Sequence, residues 1–237
     1  MAKNIILKNG ILAYNEKRYS DAIKYFKKML DSPDEKDRNM ASYYLGLTYT
    51  RLGDLNNAIE SFRKLIKVNL PPEFDIRFRM ILGYIYALKE KYPLSRDIFL
   101  SVLKREPKNV QVLAALGFIH YRMNEHKKAI QYLKKALKID SNNPNALNSL
   151  GYIYAQLGER LDEAVKNCEK ALSLKPDYPP YQDSVGWAYL KTGKITEAKK
   201  LLTAALEKMP DNDEIRNHFR EIVLKEMLAA KKRDKTD

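Results

Sequence analysis

Three histidines and one cysteine are the residues of this chain best suited to chemistry, because a thiol beside an imidazole can act as a nucleophile and grouped ligands can hold a metal ion. The sequence places no histidine beside Cys168, and His120, His126 and His218 do not form a metal-ligand motif. Gly193-Lys194 lacks the upstream glycine and the following Ser or Thr of a phosphate loop. We therefore predict no enzymatic activity, no metal site and no cofactor.

The elements that would position such groups are revealed by the spacing of the glycines. Six of the nine glycines recur at intervals of 34 to 37 residues: Gly10, Gly46, Gly83, Gly117, Gly151 and Gly186. Small and then apolar residues follow each of them at helical intervals, as Ala58 and Phe62 do after Gly46. The pattern predicts pairs of helices that approach closely at each glycine.

The other three glycines mark where helices end. Gly53, Gly158 and Gly193 each lie seven residues after one of the six recurring glycines. A glycine just past a helix commonly adopts the left-handed conformation that closes the last turn. The third repeat carries Glu90 at this position instead.

This pattern resembles the tetratricopeptide repeat family, in the style of its bacterial scaffold and adaptor members. The resemblance implies an all-α, right-handed solenoid of six helix–turn–helix repeats followed by a capping helix. The repeats are predicted at residues 3–36, 39–72, 76–109, 110–143, 144–178 and 179–212. The capping helix is predicted at 213–232, with an apolar stripe of Ile215, Phe219, Ile222, Val223 and Met227, so that residues 1–232 form one domain before a basic tail at 233–237.

Alignment of the repeats with one another also places His120 and Cys168 at positions that pack between helices. His120 occupies the position that Tyr49, Tyr86 and Tyr154 fill in other repeats, and Cys168 occupies that of Phe62. Both are therefore predicted to be buried packing residues rather than catalysts.

The net charge of +13 suggests three kinds of partner: nucleic acid, an anionic membrane or an acidic protein. Much of the excess falls on second helices, at lysine pairs such as Lys27-Lys28 and Lys127-Lys128, where a solvated surface is the simplest interpretation. Aromatic residues do not alternate with these lysines, which disfavours single-stranded nucleic acid. The lone cysteine and the absence of a long apolar run predict a cytoplasmic protein without a transmembrane segment, with recruitment to a membrane-associated complex as an option.

The resemblance further implies that the first helices line a concave groove. Its lining is predicted to be an aromatic stripe with flanking cations, suited to a protein or peptide partner with apolar and acidic groups. Self-association and packing of these rings within the chain are the alternatives, and the Lys/Asn/Arg clamp of chaperone-tail receptors is not present. The predicted groove residues are Leu7, Ile11, Tyr43, Leu47, Arg51, Arg77, Met80, Tyr84, Phe118, Tyr121, Arg122, Tyr152, Trp187 and Lys191.

Overall fold

A computed structural model describes residues 2–66 and 71–233, and every regular element in those ranges is an α-helix. The thirteen helices found there are α1 (Ala2–Asn15), α2 (Tyr19–Met29), α3 (Glu35–Leu52), α4 (Leu55–Leu65), α5 (Pro72–Leu88), α6 (Tyr92–Leu103), α7 (Val110–Arg122), α8 (His126–Ile139), α9 (Pro144–Leu157), α10 (Leu161–Leu174), α11 (Pro179–Lys191), α12 (Ile195–Lys208) and α13 (Asp213–Arg233).

The helices form two compact lobes. The N-terminal lobe, Met1–Pro107, contains α1 to α6, and the C-terminal lobe, Lys108–Asp237, contains α7 to α13. In each lobe consecutive helices pack in pairs, the first helix of a repeat against the second, and α13 packs against α12 and α11. The predicted all-α class built from helix–turn–helix repeats is confirmed.

The two helices of each repeat make their close contact at the recurring glycine, as its spacing predicts. A Cβ atom on Gly46 would lie 2.6 Å from the ring of Phe62, and one on Gly83 would lie 2.7 Å from the ring of Phe99. The contact at Gly151 also involves backbone, because its Cβ would lie 2.7 Å from the carbonyl oxygen of Ala164. These distances are below van der Waals contact, so only a glycine lets the paired helices approach this closely.

The first helix of every repeat ends in the same turn, whether or not a glycine is present. Gly53, Gly158 and Gly193 have φ angles of 76°, 68° and 83°, as predicted for left-handed caps. The equivalent residues of the other three repeats are Lys17, Glu90 and Asn124, and they have φ angles of 60°, 55° and 59°. For a residue with a Cβ this conformation costs roughly 1–2 kcal/mol. The packing of the paired helices therefore imposes the turn even where the sequence lacks its usual signal.

Helices α3 and α5 begin earlier than the repeat spacing suggests. The Asp34 side chain accepts a hydrogen bond from the Lys36 amide and so caps α3, which starts at Glu35. Pro72 occupies the first turn of α5, where its missing amide proton costs little. The residues between the predicted repeats, 37–38 and 73–75, therefore lie within these two helices.

Helix α13 departs from the stripe predicted for it. Ile215 and Ile222 are buried, whereas Val223 and Met227 are exposed, together with Leu224 and Leu228. The reason is that no helix of the described chain packs on this side of its C-terminal half. Residues 234–237 of the predicted tail lie outside the described residues. Within the described ranges, none of the helices is long and apolar enough to cross a bilayer.

Candidate functional site

The predicted groove residues all lie on first helices and divide between the two lobes. The N-terminal face comprises Leu7 and Ile11 on α1, Tyr43, Leu47 and Arg51 on α3, and Arg77, Met80 and Tyr84 on α5. The C-terminal face comprises Phe118, Tyr121 and Arg122 on α7, Tyr152 on α9, and Trp187 and Lys191 on α11.

Most apolar residues of the N-terminal face belong in part to the core. Leu7 and Ile11 pack against the cluster around Phe26, and Tyr43 and Leu47 pack against the cluster around Phe62. Tyr84 differs, because 42% of its surface is exposed while its ring rests edge-on against Phe99 at a centroid distance of 5.0 Å. Packing within the chain thus holds Tyr84 in place and leaves much of it open to a partner.

The two arginines of the N-terminal face are exposed and contact tyrosines. Arg77 donates a hydrogen bond of 2.9 Å to the hydroxyl of Tyr43, and its guanidinium carbon lies 5.5 Å from the centre of that ring. Interaction with Tyr14 raises the pKa of Arg51. Tyr14 lies near the end of α1 and Arg51 near the end of α3, the first helices of the first two repeats.

On the C-terminal face, Phe118 is the open aromatic residue. It is 40% exposed, and the guanidinium carbon of Arg122 lies 5.8 Å from its ring centre. The rings of Tyr121 and Tyr152 meet at right angles with their centroids 5.8 Å apart, and both are half-buried. Burial raises the pKa values of both phenols, most strongly that of Tyr152.

Trp187 does not lie on an open surface, although the repeat frame places it in the same position as Tyr84 and Phe118. It is only 3% exposed, because α13 covers it. The imidazole of His218 stacks on its indole at 4.1 Å, and the ammonium group of Lys191 lies 3.9 Å from the ring centre. Trp187 therefore anchors α13 in this structure.

The sequence did not predict a buried contact between a histidine of α13 and an aspartate of α11. The Nδ1 atom of His218 lies 2.8 Å from a carboxylate oxygen of Asp183, and both residues are buried. Burial raises the pKa of Asp183, and the contact with His218 opposes this rise. Nearby, Tyr152 donates a hydrogen bond of 2.5 Å to Glu214 of α13. The spacing of Asp183 and His218, 35 residues and one repeat apart, was the only sequence signal for this pair.

His120 and Cys168 have packing roles. His120 stacks on Tyr132 at 5.1 Å, and its Nδ1 atom lies 2.5 Å from Glu125. Cys168 is fully buried against Gly151, and this burial raises the pKa of its thiol. In the described part of the chain, no three His, Cys, Asp or Glu residues are grouped so that they could hold a metal ion.

Models of known protein families match this chain over the same ranges in which the structure shows paired helices. Profiles described as "Tetratricopeptide repeat" match residues 7–74, 51–110 and 157–217, and one described as "TPR repeat" matches residues 121–158. Together these matches span most of both lobes.

Among characterised proteins, the chain is 26% identical to anaphase-promoting complex subunit CDC16 of Saccharomyces cerevisiae, over 82% of this chain and 23% of that protein. It is 22% identical to the TPR repeat-containing protein MJ1428 of Methanocaldococcus jannaschii, over 86% of this chain and 39% of that protein. The chain thus spans well under half the length of these relatives.

Solved structures show the same fold. MamA is 25% identical with a TM-score of 0.54, over 72% of this chain and 91% of that chain. Cut9 in its complex with Hcn1 gives a TM-score of 0.73 at 17% identity, over 92% of this chain and 42% of that chain. YrrB, described as a TPR protein with an unusual peptide-binding site, gives a TM-score of 0.51 at 20% identity, over 81% of this chain and 96% of that chain.

Proposed function

Because this chain belongs to the tetratricopeptide repeat family, we propose that it is a non-catalytic scaffold that binds a segment of a partner protein on its first-helix faces and so supports assembly of a larger complex. The observation that carries this proposal is the exposure of Tyr84 and Phe118, at 42% and 40%, from helices whose other sides are packed. Rings held at a surface provide contact area with little side-chain entropy left to lose.

The charges around these rings indicate the chemistry of the partner. Arg51 and Arg77 lie on the N-terminal face, and Arg122 adjoins Phe118 on the C-terminal face. Cations beside apolar rings favour a segment that carries both apolar and acidic side chains. The single buried cysteine suits the reducing cytoplasm, where we place this scaffold.

We expect the Tyr84→Ala, Phe118→Ala double variant to lose partner binding and to keep its helicity. Removing an aromatic anchor costs about 2 kcal/mol, or roughly 30-fold in affinity, for each ring. The measurement is affinity capture from a lysate of the source organism with wild-type and variant protein, quantified by mass spectrometry, with circular dichroism to check the fold. Tyr152 is left intact, because its hydrogen bond to Glu214 supports α13.

A matched control is the Lys27→Ala, Lys28→Ala double variant, which alters exposed second-helix residues of α2. This control should capture the same proteins as the wild type. If the Tyr84→Ala, Phe118→Ala variant captured every protein that the wild type captures, the first-helix faces would not be the binding surface and the proposal would fail.

Self-association is a second candidate, favoured by the exposed apolar end of α13. Leu224, Met227 and Leu228 are 58%, 54% and 60% exposed, and they lie close together on one side of the helix. Such a cluster is a common feature of interfaces. We expect the molar mass from light scattering to rise with concentration for the wild type and to stay at that of a monomer for Leu224→Lys, Leu228→Lys. A monomeric wild type at every concentration would exclude this candidate.

A further inference from the structure

The outer side of α8 differs in charge from every other second helix of the chain. Helix α8 contains no Asp or Glu and has five exposed lysines: Lys127, Lys128, Lys134, Lys135 and Lys138. The other second helices, α2, α4, α6, α10 and α12, each contain at least one Asp or Glu. A surface that serves only solubility mixes charges of both signs. The composition of α8 therefore calls for a different explanation.

Most of the positive charge on α8 is not neutralised within the described chain. Of its five lysines, Lys128 alone forms an ion pair with a described carboxylate, that of Glu125 at 3.2 Å. The acidic residue that follows the helix, Asp140, accepts hydrogen bonds from the Asn142 amide and the Asn143 side chain instead. The charge of α8 is thus available to anionic groups from outside the chain.

The lysines follow the helix axis on the side that points away from the core. Lys127, Lys134 and Lys138 are seven and four residues apart, so they lie on one side of α8 over a length of about 16 Å. The opposite side contains the buried residues Ala129, Leu133 and Ala136, and α8 packs against α7 and α9. A flat anionic surface could therefore contact the whole lysine row at once.

Exposed apolar residues border one end of this lysine row. Ile139 and Leu174 are the last residues of α8 and α10, and both are 46% exposed, as is Tyr178. The ammonium group of Lys170 donates a hydrogen bond of 2.9 Å to the carbonyl oxygen of Ser141, which places the end of α10 against the turn that follows α8. We call Ile139, Leu174 and Tyr178 the apolar edge.

This combination favours an anionic bilayer over a nucleic acid. Clusters of four to eight basic residues attract anionic lipid headgroups, and apolar side chains beside them enter the boundary between headgroups and acyl chains. A nucleic-acid backbone offers phosphates but nothing that matches the apolar edge, and single strands are bound by stacking on open aromatic rings. The tyrosine of α8, Tyr132, is instead stacked on His120 at 5.1 Å.

We propose that the outer side of α8, together with the apolar edge, binds the surface of an anionic phospholipid bilayer. The lysines contact the headgroups, while Ile139 and Leu174 enter the boundary region. Because this surface belongs to second helices, it is distinct from the first-helix faces to which the scaffold function is assigned. One molecule can therefore hold a protein partner while it is bound to a membrane.

The test is sedimentation of the full chain with phosphatidylcholine vesicles, with and without about 30% phosphatidylserine. We expect binding only when phosphatidylserine is present, and weaker binding as salt is raised from about 0.1 to 0.5 M. The Lys127→Gln, Lys134→Gln, Lys138→Gln variant should bind roughly 100-fold more weakly, at about fivefold for each lysine. Ile139→Ser, Leu174→Ser should weaken binding by about tenfold, because it removes apolar area from the interface.

The matched control is Lys24→Gln, Lys27→Gln, Lys28→Gln, which removes the same charge from exposed positions on α2. At about 0.1 M salt this control should bind within roughly twofold of the wild type, because charges far from the contact surface are screened. Circular dichroism of each variant checks that the helices remain folded.

Three outcomes would overturn the inference. Absence of binding to phosphatidylserine vesicles would exclude a bilayer as the partner of α8. Equal losses for the two triple-lysine variants would mean that net charge, and not this surface, drives the binding. If the chain retarded DNA or RNA in a gel, lost this through the α8 substitutions and left the vesicles unbound, the surface would be one for nucleic acid. The scaffold proposal is tested separately, through Tyr84 and Phe118.

Discussion

Trp187→Ala is expected to destabilise the C-terminal lobe by about 4 kcal/mol, the usual cost of removing a large buried aromatic side chain. Trp187 is 3% exposed and lies under α13, with His218 stacked on one part of its ring system and Lys191 near its centre. Its loss would leave the buried His218–Asp183 pair beside a cavity. We therefore expect α13 to loosen before the rest of the lobe.

The measurement combines chemical denaturation, followed by circular dichroism, with hydrogen exchange of the α13 amides. The matched control is Phe118→Ala in the same lobe, because Phe118 occupies the same position of the repeat but is 40% exposed. That control should lose less than about 1 kcal/mol, as surface substitutions do. Equal losses for the two variants would mean that α13 does not bury Trp187 in solution.

Gly151→Ala is expected to cost about 3 kcal/mol, near the upper end for overpacking a closed core. The added methyl group would lie 2.5 Å from the Cys168 sulfur, 2.7 Å from the Ala164 carbonyl oxygen and 3.1 Å from the Cys168 amide nitrogen. Two of these atoms belong to the backbone of α10, so relief requires the helices to separate. In a domain of this size the melting temperature should fall by roughly 6–12 °C.

Two further variants show whether the cost comes from the close approach. Adding Cys168→Ala to Gly151→Ala removes the sulfur contact but leaves both backbone contacts, so only part of the stability should return. Gly158→Ala introduces a methyl group with no atom within 4 Å, and should cost only the 1–2 kcal/mol or so of a left-handed residue. Full recovery in the double variant, or equal losses at Gly151 and Gly158, would contradict this explanation.

Much of the fold was predictable because the same residue types recur at equivalent positions in successive repeats, and equivalent positions pack in the same way. The recurring glycines predicted where paired helices touch, and the structure confirms those contacts at Phe62, Phe99 and Cys168. The burial of His120 and Cys168 followed from the positions they occupy in other repeats. Left-handed turns were predicted only at Gly53, Gly158 and Gly193, while Lys17, Glu90 and Asn124 adopt the same conformation because their helices are packed in the same way.

The sequence by itself determined which side of each first helix a residue occupies, because helical periodicity and the repeat spacing depend only on neighbours along the chain. It could not determine what covers that side. Tyr84, Phe118 and Trp187 occupy equivalent positions, yet the first two are open and the third is buried, because only Trp187 lies beneath α13. The His218–Asp183 pair and the contact of the Tyr14 ring with the Tyr44 ring likewise join residues from different repeats. Tertiary packing decided these contacts, since they depend on how successive helices are placed and not on the pattern within any one of them.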